Sequence, residues 1–237
     1  MQKKQKQRSI IVSDLDLTLT CRSLMHAVAE HQFEAGLVRV RLEKIFSNIR
    51  NRYFNGDINY QDGSLQALTA WAQQLQGQAY DAVVSDTKKF LENRRELFYP
   101  YFKTLVEEFD ATHDFYLVTA NMPFVAEAVS RIFGLTGFAS SQVEIKGGRI
   151  SGELKNALAG NGGKRGAAQK IMAGYVWAGS IGLGDTENDE EMLKIVEHPV
   201  CVNPNPNLQK AAQKFSWPQA TQETVIDVIK KRIKNDH

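Results

Sequence analysis

Acidic residues at two distant points of the chain are spaced so that they could form one site. Asp14 and Asp16 follow the short apolar run Ser9–Ser13, and Asp185 and Asp189 follow a second short apolar run. In an open parallel sheet the carboxyl ends of the strands meet along one edge, where ligands bind. Asp14 and Asp16 would project oppositely from an extended chain, so the chain must bend there for both to serve one site.

The chemistry of such a site follows from the residue types. Clustered carboxylates repel one another unless a cation is shared between them, and Mg²⁺ bridges carboxylate oxygens to a substrate phosphate. Thr119 adds a hydroxyl and Lys164 a fixed positive charge, each expected just after a predicted strand. Backbone N–H groups near Leu15 and at the start of the helix after Asp185 could add donors. These groups together suit phosphoryl transfer to an aspartate.

Alternating strands and helices predict a parallel α/β sheet with right-handed crossovers. Helices are expected over 101–109, 123–133, 166–172 and 186–196, and a small hairpin over 143–151. The predicted strands, of which the fourth is the last in the chain, are Ser9–Ser13, Phe115–Thr119, Ser180–Leu183 and Pro199–Val202.

The segment 21–95 has helical rather than strand periodicity. Apolar residues recur at helical spacing from Leu42 to Ile49. Asp62-Gly63 is interpreted as a turn, and Ser64 as the cap of a helix that ends near Leu75. The segment is therefore predicted to be an all-helical insert.

Four short motifs also carry a family resemblance, because they occur in the family's order across most of the chain. The sequence resembles the haloacid dehalogenase superfamily and is most similar to its phosphoserine phosphatase-like branch. The motifs are Asp14-Leu15-Asp16-Leu17-Thr18, Val118-Thr119-Ala120-Asn121, Lys164 and Gly184-Asp185-Thr186-Glu187-Asn188-Asp189.

The resemblance implies a reaction and a role for each matching residue. Asp14 would attack phosphorus and become an aspartyl-phosphate, while Asp16 would protonate the leaving group and then activate water. Mg²⁺ would be held by Asp14, the backbone carbonyl of Asp16 and Asp185, with Asp189 ligating the metal or orienting a bound water. The phosphate would be bound by three side chains, namely Thr119, Lys164 and Asn188.

The same resemblance implies a Rossmann-like core over 1–20 and 96–237, with a helical cap over 21–95. A cap that encloses the site leaves room for a small phosphorylated metabolite rather than a protein. Phosphoserine phosphatases usually carry a substrate-binding Glu nine residues after the nucleophile, where this chain has Ser23. An ammonium group would lack its counter-charge, so phosphoserine itself is not the expected substrate. Four cap residues could contact a substrate but are interpreted as solvated or helix-face residues: Arg22, His26, Arg50 and Arg52.

Each site residue has a simpler explanation when it is taken alone. Aspartates at strand ends are usually turn residues, Thr119 could cap the helix near Pro123, and Lys164 is one of several nearby basic residues. Because both acidic motifs are expected at one sheet edge, a functional role for these residues is favoured over the simpler explanations. The stretch ending at Lys164 is not a P-loop, because Leu158 and Arg165 occupy positions that this motif reserves for Gly and for Ser or Thr.

Composition excludes several classes of function. The net charge is only +2, which offers no argument for nucleic acid or an anionic membrane as a partner. No apolar stretch approaches the ~20 residues that span a bilayer, and the basic stretch 1–8 is interpreted as a solvated arm rather than a targeting signal. Cys21 and Cys201 form no disulfide framework, and the five histidines show no shared metal spacing. A cytoplasmic location is expected.

Three other functions stay open at this point. The aspartyl-phosphate could pass to an alcohol acceptor instead of water, or the chain could be a phosphoacceptor or binding protein without turnover. A receiver-type signalling module is disfavoured, because it has no place for the insert and carries its phosphoacceptor on a later strand. Dehalogenation is disfavoured because an acidic metal site and proton donation by Asp16 suit phosphate esters. Oligomeric state has no sequence signature.

Overall fold

A parallel sheet of six strands forms the centre of the computed structural model, which describes residues 8–160 and 162–234. Its strands are β1 Ser9–Ser13, β2 His113–Thr119, β3 Gly137–Ser140, β6 Ile181–Gly184, β7 His198–Val202 and β8 Gln219–Ala220. The strand order is β3-β2-β1-β6-β7-β8, and every pairing in the sheet is parallel. The antiparallel pair β4 Gln142–Lys146 and β5 Arg149–Asn156 forms a separate hairpin. The predicted α/β class is therefore confirmed.

Strand β1 pairs with β2 on one side and β6 on the other, and both of its faces are buried, as expected for a strand inside a parallel sheet. Ile10 and Val12 face one apolar cluster and Ile11 faces the other, which is the alternation of a strand. Ser13 aligns with Leu117 of β2 and with Leu183 of β6. The carboxyl ends of these three strands therefore lie side by side.

Helices cover both faces of the sheet and agree in part with the sequence prediction. α6 (Pro123–Phe133) has the predicted bounds, whereas α5 (Pro100–Phe109) and α7 (Gly163–Met172) begin one and three residues before the predicted positions. Only a short 3-10 turn (Glu187–Asp189) and a four-residue helix replace the helix predicted over 186–196. The core helices are α5 Pro100–Phe109, α6 Pro123–Phe133, α7 Gly163–Met172, α8 Glu190–Leu193, α9 Pro206–Phe215 and α10 Val225–Lys234.

Residues 21–95, all of which the structure describes, form four helices and no strand of the sheet. These are α1 Leu24–Glu34, α2 Glu43–Phe54, α3 Tyr60–Gln74 and α4 Tyr80–Glu92, called the helical insert below. Trp71 is fully buried and contacts Phe46 within the insert and Phe124 of the core edge-on, with ring centroids 6.3 and 5.1 Å away. One continuous apolar core therefore joins the insert to the sheet.

The β4–β5 hairpin holds the loop between α3 and α4 by backbone hydrogen bonds. The Gly77 N–H donates to the Ile150 carbonyl at 2.8 Å, and the Ile150 N–H donates to Gln78 at 2.9 Å. Gly77 has φ +84°, a left-handed conformation that glycine adopts without steric cost. These bonds fix one side of the insert to the core.

Two predictions at the start of α3 are wrong. The helix begins at Tyr60, and Asn59 caps it by accepting from the Asp62 N–H at 2.8 Å. Asp62-Gly63 is therefore not a turn, and Ser64 lies inside the helix rather than at its cap. The cap at Asn59 removes the need for a chain break at Gly63, which lies where Ile49 of α2 comes close.

The prediction that β7 is the last strand in the chain is wrong, because β8 follows it and pairs with it. Its two residues are too short a run to give a strand pattern. The basic stretch 1–8 lies outside the described residues except for Arg8, which forms an ion pair with Asp114 at 2.5 Å. His237 also lies outside them. None of the helices formed by the described residues is long and apolar enough to cross a membrane.

Candidate active site

The chain bends directly after β1, as the spacing of the first two aspartates requires. The Asp14 N–H still donates to Leu183 of β6 at 2.9 Å, which continues the sheet by one residue. Leu17 then adopts φ +63°, an uncommon conformation for a residue with a side chain. The Leu17 N–H donates to the Thr20 hydroxyl oxygen at 3.0 Å. The bend turns both Asp14 and Asp16 toward one cavity.

This cavity has a volume of about 180 Å³ and is called the acidic cavity below. The core supplies most of its polar lining, and the insert closes it with side chains from α1 and α3. Its lining residues include Asp14, Asp16, Thr119, Asn121, Lys164, Asp185 and Thr186 from the core and Ser23, Met25, Tyr60 and Ser64 from the insert.

Lys164 joins two carboxylates that are far apart in sequence. Its Nζ lies 2.6 Å from Asp14 Oδ1 and 2.6 Å from Asp189 Oδ1. All three residues are buried, with exposed fractions of 3, 5 and 0% for Lys164, Asp14 and Asp189. Lys164 comes from the first turn of α7 rather than from the end of a sheet strand, so its predicted placement was wrong. A Cβ at Gly163 would lie 2.9 Å from the Leu158 carbonyl oxygen, so the close turn that places Lys164 requires glycine there.

Asp185 and Asp189 are held by hydrogen bonds of different kinds. Thr18 donates its hydroxyl to Asp185 Oδ1 at 2.9 Å. Asp189 Oδ2 accepts from the N–H groups of Asp185 and Thr186 at 3.1 and 3.0 Å and from the Thr186 hydroxyl at 3.2 Å. The backbone donors expected to reach a phosphate at this turn are therefore engaged by Asp189.

The glycine that precedes Asp185 has a steric reason. A Cβ built on Gly184 would lie 2.4 Å from Asp189 Cβ, well inside any real contact. The strand end and the following turn can approach this closely only without a side chain at position 184. Close packing therefore explains why a glycine and an aspartate five residues later occur together.

Asp16 is oriented by two donors from different elements. The Leu24 N–H at the start of α1 donates to its Oδ1, and the Asn121 side chain donates to its Oδ2 at 2.7 Å. Asn121 was not among the predicted site residues, although it lies in the motif that contains Thr119. Thr119 lines the cavity and accepts from the Asn121 N–H at 3.1 Å, whereas Met122 holds the cap position of α6.

Like the fully buried Asp189, Asn188 is a predicted site residue that does not line the cavity. Its Oδ1 accepts from the Gly160 N–H at 2.6 Å, which ties the turn after Asp185 to the loop before α7. Its Nδ2 is buried without a hydrogen-bond partner among the described residues. Its role in binding phosphate stays a prediction.

Burial perturbs the titration of the acidic groups. It raises the pKa of Asp14 from 3.8 to about 7, against the opposing charge of Lys164. Burial also raises the pKa of Asp185 well above its usual value, and the neighbouring Asp14 and Asp189 add to that rise. Burial raises the pKa of Asp16 as well, against the hydrogen bond from Asn121. The site therefore has too little positive charge for its carboxylates.

The donor set fits a hard divalent cation. One carboxylate oxygen each from Asp14, Asp185 and Asp189 lie within 4.8 Å of one another, the one such cluster among the described residues. Burial by itself would lower the pKa of Lys164, but Asp14 and Asp189 raise it overall, so this side chain stays charged. One ammonium group cannot balance three buried carboxylates, and oxygen ligands are those that Mg²⁺ prefers.

Comparison with known proteins identifies the family. The model of the haloacid dehalogenase-like hydrolase family matches residues 11–194. The chain therefore belongs to this family, which confirms the resemblance seen in the four motifs.

Its relatives include phosphatases. A phosphoserine phosphatase of Mycobacterium tuberculosis is 28% identical over 156 residues, which cover 65% of this chain and 46% of that protein. The chain thus spans about half the length of this relative. A histidinol-phosphatase of Neisseria meningitidis serogroup C is 24% identical over 225 residues, which cover 89% of this chain and 97% of that protein.

Solved structures share the fold. A protein of unknown function from Bordetella pertussis has a TM-score of 0.76 at 21% identity, covering 92% of this chain and 100% of that one. A substrate-bound phosphoserine phosphatase has a TM-score of 0.63 at 17% identity, covering 92% and 94%. At these identities the likeness shows the fold alone.

Proposed function

We propose that the chain is a Mg²⁺-dependent phosphatase that hydrolyses a small phosphomonoester through Asp14. The observation that carries the proposal is the buried Asp14 carboxylate, which contacts Lys164 at 2.6 Å and lines the same cavity as Asp16. A nucleophile, a proton carrier and a phosphate-binding cation are therefore adjacent. Family membership and the phosphatases among the relatives support this class of reaction.

The residues proposed to hold Mg²⁺ are Asp14, Asp185 and the backbone carbonyl of Asp16. Both oxygens of Asp189 are engaged, one by Lys164 and the other by three donors, so Asp189 is proposed to orient the site. Bound Mg²⁺ would offset the charge of the carboxylates and polarise the phosphate. Thr119 and Lys164 are proposed to bind the phosphate oxygens. Asn188 is proposed to bind them as well, through its side-chain Nδ2, which has no hydrogen-bond partner among the described residues.

The proposed reaction has two steps. An oxygen of Asp14 attacks phosphorus and forms an O–P bond while the bond to the leaving oxygen breaks, and Asp16 gives that oxygen its proton. Asp16 then takes a proton from water, whose oxygen attacks phosphorus, releases inorganic phosphate and restores Asp14. The Leu24 N–H and the Asn121 amide hold Asp16 in place for both transfers.

The proposed domain division follows from how the cavity is enclosed. Residues 1–20 and 96–237 would form the catalytic core, and residues 21–95 would be a cap that supplies Tyr60 and Ser64 to the lining. A cavity of about 180 Å³ suits a phosphate group rather than a folded protein substrate. Ser23 also lines it where a phosphoserine enzyme would place a carboxylate, so phosphoserine is not the substrate we propose.

The test is phosphate release from a panel of phosphomonoesters with Mg²⁺ and with EDTA, for the wild type and Asp14→Asn. We expect turnover that needs the metal and falls by at least ~10³-fold in Asp14→Asn, which has the same shape without the nucleophilic charge. Unchanged turnover in the variant would refute the proposed nucleophile. Release of alcohol with phosphate passed to an added alcohol would instead identify a phosphotransferase.

A further inference from the structure

A second and larger cavity opens directly beside the acidic cavity. Its volume is about 880 Å³, and it lies between helices α1 to α3 of the insert and the loop before α9. The two cavities share Leu17, Met25, Tyr60, Ser64, Asp185 and Thr186, so they form one continuous space. A phosphate held in the acidic cavity would therefore direct its ester group into the larger one.

We call this larger cavity the aromatic cavity, because its lining on the insert side is mainly apolar and aromatic. Its apolar lining comprises Met25, Phe46, Ile49, Tyr53, Phe54, Tyr60 and Ala67. Pockets of a few hundred Å³ with such linings are typical of small-molecule sites. Its volume is several times that needed for a two- or three-carbon alcohol.

Apart from Asp185, the ionisable side chains that line the aromatic cavity are those of histidine, arginine and tyrosine. His26 and Arg50 line it, whereas its one acidic lining residue is Asp185, which belongs to the acidic site. His26 is hydrogen-bonded to Glu43 at 2.8 Å, and Arg50 is exposed to solvent. An ammonium group on the substrate would therefore be placed near basic side chains without a carboxylate of its own.

The wall of the aromatic cavity is tied across the boundary between insert and core. Tyr53 packs edge-on against Tyr60, with ring centroids 6.1 Å apart, and donates its hydroxyl to Glu187 Oε1 at 2.8 Å. Asn205 and Asn207 also donate to the Glu187 carboxylate. This carboxylate is therefore engaged behind the wall, and the aromatic rings keep their position.

From this lining we infer that the aromatic cavity binds the leaving alcohol of the substrate, and that this alcohol carries an aromatic ring or a comparably large apolar group without positive charge. The inference rests on the proposed phosphatase function and adds the class of its substrate. Burial of apolar surface against the insert would supply the selectivity, because the phosphate contacts are common to all phosphomonoesters.

The test compares esters of simple primary alcohols, so that the phosphoryl step is similar in each. We expect kcat/KM for 2-phenylethyl phosphate to exceed that for ethyl phosphate by about 10- to 100-fold, from burial of one ring. We expect 2-aminoethyl phosphate and phosphocholine not to exceed ethyl phosphate. Equal values for phenylethyl and ethyl phosphate, or a preference for either cationic ester, would overturn the inference.

A matched pair of variants locates the selectivity. Ile49 lines the aromatic cavity, whereas Ile45 lies one turn earlier on α2, is also half-buried and is not in the lining. Ile49→Asp should lower the phenylethyl-to-ethyl ratio of kcat/KM at least tenfold, and Ile45→Asp should leave it unchanged. The ratio does not depend on the fraction of folded enzyme. An unchanged ratio in Ile49→Asp, or equal falls in both variants, would refute the assignment.

Failure of the proposed function can be recognised separately. If no ester is hydrolysed, the phosphatase proposal fails, and binding of the two esters measured by calorimetry then decides the inference. Tighter binding of 2-phenylethyl phosphate that is lost in Ile49→Asp supports the aromatic cavity. Equal binding of both esters, or binding of neither, overturns it.

Discussion

Two substitutions in the ion cluster should change stability in opposite directions when no metal is bound. Lys164→Met removes the ammonium group between Asp14 and Asp189 and leaves buried carboxylates without their counter-charge. Asp14→Asn removes one carboxylate and leaves Lys164 paired with Asp189 at 2.6 Å. Lys164→Met removes the one positive charge of the cluster, whereas Asp14→Asn removes one of its three carboxylates.

The magnitudes follow from burial and the pKa shift. Removing one partner of a buried ion pair typically lowers the free energy of unfolding by about 3–5 kcal/mol, which we expect for Lys164→Met. A pKa raised from 3.8 to about 7 means that ionised Asp14 costs the folded state up to about 4 kcal/mol at alkaline pH. Loss of one Lys164 contact offsets part of this gain, so we expect Asp14→Asn to be about 1–3 kcal/mol more stable than the wild type.

The sign of the pH dependence follows from the same shift. The pKa of Asp14 is higher in the folded state, so its contribution to stability is fully present below pH 3.8 and is lost as the pH rises through about 7. The advantage of Asp14→Asn should therefore be larger at pH 8 than at pH 5.

The assay is urea denaturation of both variants and the wild type in EDTA, with midpoints and slopes compared. Added Mg²⁺ should then stabilise the wild type more than Asp14→Asn, because a ligand stabilises the state that binds it. Any loss of stability in Asp14→Asn, or a neutral Lys164→Met, would refute this account of the cluster.

Three further predictions concern Gly184, the contact between insert and core at Tyr53, and the buried His113 at the amino end of β2. Gly184→Ala should lower the free energy of unfolding by at least about 2 kcal/mol in urea denaturation, because its Cβ would meet Asp189 at 2.4 Å; a neutral result would contradict the steric argument. Tyr53→Phe should cost about 1 kcal/mol through its lost bond to Glu187 and raise KM more than it lowers kcat in steady-state kinetics; unchanged KM would argue against the tie between insert and core. Burial lowers the pKa of His113 in the folded state below the unfolded value of about 6.5. The unfolded chain therefore binds the extra proton first, and stability is lost as the pH falls below that value. Denaturant midpoints at pH 7.5 and 5.5 should show His113→Asn gaining stability relative to the wild type at the lower pH, and a constant difference would refute the shift.

Much of the core fold was predictable because its signals are local. The buried run before Asp14 predicts β1, and α6 has its predicted bounds because Pro123 marks its first turn and Gly134 follows its end. The helical character of the insert was also evident from its periodicity. Ser64 was misread because the stronger cap at Asn59 lies before an apparent turn. The half-buried edge strand β3 and the two-residue β8 have too little pattern to be recognised.

Parts of the candidate site were beyond sequence reasoning because they depend on contacts between distant residues. The placement of Lys164 depends on a turn in which Gly163 approaches Leu158. Asn121, which follows β2, donates to Asp16, which follows β1. Asn188 accepts from the N–H of Gly160, which lies in a different loop. Spacing along the chain carries no information about such distances.

The sequence by itself determined the class of this protein, because residue type and strand order suffice to bring Asp14, Asp16 and Asp185 to one sheet edge. The alternation of side chains along a strand also requires a bend after β1 if Asp14 and Asp16 are to serve one site. The tertiary structure alone decided which donors are engaged, how deeply the carboxylates are buried and what lies beside them. The aromatic cavity is the clearest case, because its lining comes from three helices and a loop that meet only when the insert folds onto the core.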